Sequence, residues 1–348
     1  MPATPFDHVT FSHRRTVEWP TVALCGAVFG GWGALTYWHA CLPLAVSIPA
    51  AAWVVAWHSS LQHEIVHGHP TAWRAVNRAL GFVPLSLWIP FARYRAMHLA
   101  HHRDERLTDP LDDPETYYWT PDDWSALSPP IRLLVAAQAT LLGRMAIGPA
   151  WCIGRYLAAD FSAICAGDRA LARVWLRHGV GCIAVLAWLW AVCGMAPWVY
   201  VALFVYPGTA LLLVRSFAEH RAEDAVHHRT AIVERAPVLG LLFLYNNLHA
   251  AHHARPTLPW YRLPAWYAQN RDMLISRNGG LVYRGYAEIV RRYLLAPHDM
   301  PLHPTGRAPD GTASAAGAMR PAPGARAGGA AIHGAAVGAI AAPAAPER

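Results

Sequence analysis

The residues best suited to chemistry in this chain fall in three histidine-rich boxes: His63-Glu64-Ile65-Val66-His67, His98-Leu99-Ala100-His101-His102 and His249-Ala250-Ala251-His252-His253. On a helix, the first histidine of each box shares a face with residues three and four positions on. Their Cβ atoms would lie about 5–6 Å apart, which is chelating distance. The adjacent pairs, His101 with His102 and His252 with His253, diverge by about 100° around a helix. The two rings of a pair therefore suit two metal ions better than one. Eight imidazoles also exceed the roughly four ligands that a single zinc ion takes. Imidazole serves iron, copper, nickel or zinc, so ligand type leaves the element open. The chain has 20 histidines in 348 residues, enough for some close pairs by chance, but a repeated HxxHH is far harder to obtain that way. The spacing predicts a dinuclear metal site.

Composition indicates what must position these boxes. With 54% hydrophobic residues, 15% charged residues and a mean hydropathy of +0.19, the chain is too apolar for an ordinary soluble protein, whose charged share is about 25%. The net charge of +7 comes entirely from arginine. These arginines are spread through loops with no nucleic-acid-binding module, so a positive-inside bias accounts for them and nucleic acid is not an expected partner. Four apolar runs, Thr21 to Trp38, Leu42 to Trp57, His178 to Ala196 and Pro197 to Val214, are long enough to cross a bilayer, and very short links join them in pairs. Arg169, Arg173 and Arg177 enter the second pair, Arg215 and Arg221 leave it, and neither intramembrane link is basic. The expected fold is an all-α membrane protein: four transmembrane helices as two hairpins, with both termini cytoplasmic and a cytoplasmic helical cap carrying the boxes. The apolar stretch Leu80 to Phe91 is too short to span and is expected at the interface. Residues 131–157, interrupted by Arg144, Gly148 and Pro149, read as an interfacial helix pair. A polar arm, residues 1–19, precedes a catalytic domain over 20–300. An Ala/Gly/Pro-rich tail over 301–348 is expected to be disordered.

The order HxxxH, HxxHH, HxxHH, with hydrophobic spans between the second and third boxes, resembles the integral-membrane fatty acid desaturase and hydroxylase superfamily over residues of about 20 to 295. The resemblance implies two iron ions bound by histidine and the use of O2 against an unactivated C–H bond. It further implies a lipid or fatty acyl substrate, and an external electron donor such as ferredoxin or a cytochrome/reductase. An integral membrane setting, here a bacterial inner membrane, goes with it. Desaturation and hydroxylation share the first hydrogen abstraction. Desaturation of a fatty acyl chain is the favoured reading, with lipid hydroxylation and carotenoid ketolation or hydroxylation as alternatives. The stretch Ala254 to Pro264 after the third box is similar to that of some desaturases and of carotenoid ketolases, so it leaves the substrate class open.

Superfamily members use a further histidine between the last span and the third box. His220, about one and a half turns past the fourth expected span, has the same relation to the membrane as His63. His227 and His228 share its loop and compete for the role. Ligating histidines normally give their second ring nitrogen to a carboxylate or carbonyl. The candidates are Glu64, Asp104 and Asp109, with Glu219 beside His220. Asn246, three residues before His249, is a candidate for a weak or water-mediated contact. The lone flanking histidines His58 and His69 stand outside the expected metal set.

Two other classes compete. The first box also reads HExxH, the zincin pattern, with Glu64 as general base of an intramembrane zinc metalloprotease. That reading leaves both HxxHH boxes unused, and the four expected spans contain no aspartate as a third ligand. A metal carrier would call for ionisable groups inside the spans, which are nearly free of them.

Overall fold

The computed structural model describes residues 17–103 and 106–304 and is mostly helical. Helix α1 (Trp19–Tyr37) is followed by a 3-10 turn at His39–Cys41 and by α2 (Leu44–Val66), and the two helices pack against each other. Pro20 in the first turn of α1 and Pro43 at the start of α2 occupy positions where a missing N–H costs nothing. The span expected to end near Trp57 instead continues as helix through Val66, because His58 to Gln62 contains no breaker. It stops at Gly68, whose φ of +104° is the left-handed conformation that closes a helix. The first histidine box is thus the last turn of a 23-residue apolar helix rather than a segment beyond it.

Next come α3 (Arg74–Phe82), α4 (Phe91–His101), α5 (Pro121–Ala126), α6 (Pro129–Ala137), α7 (Leu141–Ala146) and α8 (Gly148–Cys165). Helix α9 (Arg169–Ala187) continues through a π turn to Val192. Then α10 (Pro197–Tyr200), a second π turn at Val201–Val205 and α11 (Tyr206–Glu219) form another continuous stretch. Among the described residues, three stretches are long and apolar enough to cross a membrane: Leu44–Val66, Arg169–Val192 and Pro197–Glu219. Four were expected. The missing one, α1, has the length, but Gly26, Gly30, Gly31 and Gly33 together with Pro20 and Thr36 dilute its apolar character.

Helices α2 and α11 lie against each other. Their approach requires Gly208, since a Cβ there would sit 2.6 Å from Val55 Cβ. One apolar core gathers Val28, Val55, Leu61, Leu85, Leu189, Tyr200 and Phe204. A second gathers Phe217, Val233, Phe243, Tyr283 and Ile289. Trp57 on α2 packs against both.

The chain is not purely α. Strand β1 (Ile232–Arg235) pairs in parallel with β2 (Val282–Gly285), with Val233 opposite Tyr283. Each strand has four residues, too few for a period-two pattern to stand out in the sequence. The crossover between them holds α12 (Leu239–Leu242), α13 (His249–Ala254) and α14 (Leu263–Arg277), and α15 (Tyr286–Tyr293) comes directly after β2. The sheet anchors the third box: Ala250 N–H donates to Ala231 O at 3.1 Å and Val233 N–H to Asn247 O at 2.8 Å.

Packed structure continues past residue 300, the expected domain boundary. Trp119 N–H donates to Pro301 O at 2.8 Å, and His303 N–H donates to Trp119 O at 3.1 Å. Of the expected arm and tail, residues 1–16 and 305–348 lie outside the described residues.

Candidate metal centre

Four chain segments converge here: the end of α2, the end of α4, the residue after α11, and α13. They bring the nine expected histidines into two groups. His63, His67, His98, His102 and His252 form one; His101, His220, His249 and His253 form the other. Within each group one ring nitrogen from every member lies within 4.8 Å of the rest. Each adjacent pair is split between the groups, as the 100° divergence requires. The i,i+4 pairs, His98 with His102 and His249 with His253, each stay together.

The nitrogens that face one another are all Nε2. His67 and His98 are 3.1 Å apart, His98 and His102 3.0 Å, and His102 and His252 3.1 Å. In the second group His101 lies 3.1 Å and His249 2.9 Å from His220. Two imidazole nitrogens at right angles on one ion, each at about 2.1 Å, would be about 3.0 Å apart. His63 Nε2 is buried without a hydrogen-bond partner, a costly state for a polar atom unless a ligand takes it up. The donor set therefore fits two metal ions.

The chain matches the fatty acid desaturase family over residues 36–286, more than half its length. It belongs to that family. Among curated proteins none matches. The family is one of membrane oxidoreductases known for di-iron centres, and the matched stretch contains all nine histidines. Most of α1 and everything after Tyr286 fall outside it.

The remaining ring nitrogens of this desaturase-family chain are held from behind. His98 Nδ1 lies 3.0 Å from Glu115 Oε1, and His101 Nδ1 lies 3.0 Å from both oxygens of Asp113. His220 Nδ1 donates to Arg229 O at 3.2 Å. His249 Nδ1 faces Asn246 Oδ1 at 3.2 Å and Glu219 Oε1 at 3.3 Å, and Asn246 Nδ2 donates to Glu219 at 2.8 Å. Such contacts fix the tautomer and leave Nε2 free to bind.

Of the expected supports, Glu219 and Asn246 stand behind a ring, and Glu64 and Asp109 lie elsewhere. Glu219 serves His249 rather than its neighbour His220, because the helix ends between them and His220 takes an extended backbone. Asn246 orients a ring. Glu64 accepts the Trp260 N–H at 3.1 Å, and its oxygen stays 3.9 Å from His63 Nδ1, too far for a hydrogen bond. Asp109 accepts the Leu111 N–H in a local turn and meets no histidine of either group. Asp104 lies outside the described residues. The carboxylates that do the holding, Asp113 and Glu115, lie in the same acidic stretch. Its presence was a signal, but the choice among its members needs the loop's conformation.

His58 packs edge-on to Phe29, and His69 pairs with Glu18 at 2.7 Å, so both stand outside the two groups. His227 and His228 contact each other and also stand outside. Leu244 and Tyr245 adopt φ of 50° and 58°, sparsely populated for such side chains. This bend presents Asn246 to His249 while Asn247 Nδ2 donates back to Val233 O at 2.6 Å.

Burial first, and neighbouring imidazoles second, hold His67, His102, His220, His249 and His252 below the usual histidine range. They are neutral at pH 7, the form that binds metal. His101 differs. Against the effect of its burial, Asp113 and then Glu115 raise it to about 9.

Proposed function

We propose that this chain is a membrane-bound di-iron oxidoreductase that uses O2 and an external electron donor to desaturate a fatty acyl chain of a lipid. One observation carries the reading: each HxxHH box splits its adjacent histidines between two groups of Nε2 atoms at metal-sharing distances. Iron bound there would supply the oxidising power needed to take hydrogen from an unactivated C–H bond. His63, His67, His98, His102 and His252 would hold one ion, and His101, His220, His249 and His253 the other.

The chain's own contribution is to hold and shield. His63, His98, His101, His249 and His252 are each no more than 3% exposed, so bulk water is kept from the ring nitrogens. An all-imidazole donor set brings no negative charge, and Asp113, Glu115 and Glu219 supply it one bond further out. We further propose four spans as two hairpins, both termini cytoplasmic, and a helical cap formed by the segments between them. In this arrangement residues 1–19 are an arm, 20–300 the catalytic domain and 301–348 a tail, whose first residues dock on Trp119. An acyl chain would enter from the bilayer between the hairpins, and a cytoplasmic donor would reach the cap from a bacterial cell interior. Lipid hydroxylation and carotenoid oxidation begin with the same abstraction and remain the alternatives.

The zinc protease reading is disfavoured by one contact. Glu64, which would be its general base, is committed to the Trp260 N–H. The test is expression in a lipid-producing host with a competent electron donor, followed by mass spectrometry of membrane lipids. New double bonds in acyl chains are expected. Unchanged fatty acid, polar lipid and supplied-carotenoid profiles, from folded iron-loaded protein, would overturn the proposal.

A further inference from the structure

The last described residues touch neither histidine group directly, yet two lines of hydrogen bonds run from them into the second group. His303 Nε2 meets Thr108 Oγ1 at 3.0 Å, Thr108 N–H donates to Asp113 Oδ2 at 2.8 Å, and Asp113 holds His101 Nδ1 at 3.0 Å. All four residues are buried: His303 is 3%, Thr108 2%, Asp113 4% and His101 3% exposed. Thr108 is held at φ 66°, a left-handed conformation that is costly for a β-branched residue and needs its surroundings to enforce it. The second line starts at Asp299, which accepts a hydrogen bond from the Tyr118 hydroxyl. That hydroxyl accepts the Ala222 N–H at 2.8 Å, two residues after His220, while the neighbouring Tyr117 hydroxyl separately donates its one proton to His220 O at 3.1 Å. Arg144 covers the Tyr117 ring at 4.6 Å.

We propose that the segment Pro297–Pro304 is a strap that positions the four-histidine group: His303 sets the His101 ring through Thr108 and Asp113, and Asp299 sets the main chain just after His220 through the Tyr118 hydroxyl and the Ala222 N–H. His303 and Tyr118 are positioning residues. The five-histidine group meets the strap less directly, at His98, whose partner Glu115 also donates its N–H to Asp113 at 2.9 Å. The two ions should therefore respond unequally to loss of the strap. This inference rests on the metal reading above and adds an asymmetry that the histidine boxes themselves do not contain. The strap lies wholly outside the stretch that matches the desaturase family.

The experiment titrates the metal-free full-length protein in detergent with Co2+ and reads visible absorption and bound metal per chain. In a background carrying both His63→Ala and His252→Ala, which leaves three imidazoles in the five-histidine group, adding His303→Ala should weaken the remaining ion at least about tenfold, the usual scale for losing an outer partner of a ligand. In a His249→Ala background, His303→Ala should change the remaining ion less than about threefold. Tyr118→Phe, nearly isosteric and cut off from both Asp299 and the Ala222 N–H, should give the same selective loss should His303→Ala fold poorly. His303→Gln, which keeps a polar group within reach of Thr108, should restore part of the affinity. Equal weakening of both ions, or no weakening of either, would overturn the strap as a positioning element. A wild-type protein that binds no metal would overturn the metal reading and the strap's role together.

Discussion

His102 and His253 stack with ring centroids 4.4 Å apart and planes 25° apart, yet each belongs to a different histidine group. The contact joins the two HxxHH helices at the point where their adjacent pairs diverge. A helix register shifted by one residue in either box would exchange the groups' members. The pairing of the two boxes is thus set by helix period, and the geometry around the pair by what holds the rings from behind.

Loss of His220 should be specific. His220→Ala removes the residue whose Nε2 lies 3.1 Å from His101 and 2.9 Å from His249. Bound iron should fall from two ions per chain toward one, and turnover should be abolished. His227→Ala and His228→Ala should retain both ions. Iron analysis of detergent-purified protein decides, and unchanged iron in His220→Ala would move the ninth ligand elsewhere.

Asp113→Asn and Glu115→Gln remove the acceptors behind His101 and His98. Each should weaken metal binding by about 10–100-fold. The first should act on the four-histidine group and the second on the five-histidine group. Asp109→Asn, whose side chain closes a local turn, should have no effect on either ion.

The eight box histidines were legible because chelation at one helical face leaves a period in the sequence, whereas His220 was reached through the family resemblance and its distance past the fourth expected span. The continuation of α2 to Val66 is written in the lack of a breaker before Gly68. What could not be read is whatever depends on distant pairing. Thr108 and His303 are 195 positions apart, and nothing in either neighbourhood announces the other. Asp113 was hidden among several carboxylates of equal sequence claim. The small parallel sheet was hidden by its four-residue strands.

Helix approach can be tested at Gly208. A Cβ there meets Val55 Cβ at 2.6 Å, so Gly208→Val should destabilise the protein by about 1–3 kcal/mol through overpacking. It should also lower iron content, since α2 and α11 carry His63, His67 and His220 at their ends. Gly208→Ala should be milder, and adding Val55→Gly, which removes the opposing Cβ, should restore part of the thermal stability. A neutral Gly208→Val would show that the two helices can separate without cost.

The end of the chain predicts a pH dependence. His298, beside Tyr283 at 2.8 Å, and His303 are both lowered by burial to about 4. The unfolded chain binds these protons near pH 6.5, so it binds more protons than the folded chain between those values. Their contribution is fully present above about 6.5 and is lost as pH falls toward 4. The melting temperature of metal-free protein should drop across that window. The buried histidines of the two groups, also lowered, contribute to the same drop, so His298→Gln with His303→Gln should reduce it without abolishing it. A double variant with the wild-type slope would contradict the assignment.

Truncation separates the strap from the tail beyond it. A chain ending at Pro304 should keep both ions and its activity, since the Ala/Gly/Pro-rich sequence beyond it has a single histidine, His333, and few residues with which to pack. A chain ending at Pro297 should lose tight binding in the four-histidine group.

Metal content tests the central claim most directly. Protein purified from iron-replete cells and assayed by mass spectrometry of the metals should carry two irons per chain, and alanine at any one of the nine histidines should reduce that number. One zinc per chain, unaffected by changes in the second and third boxes, would contradict the account.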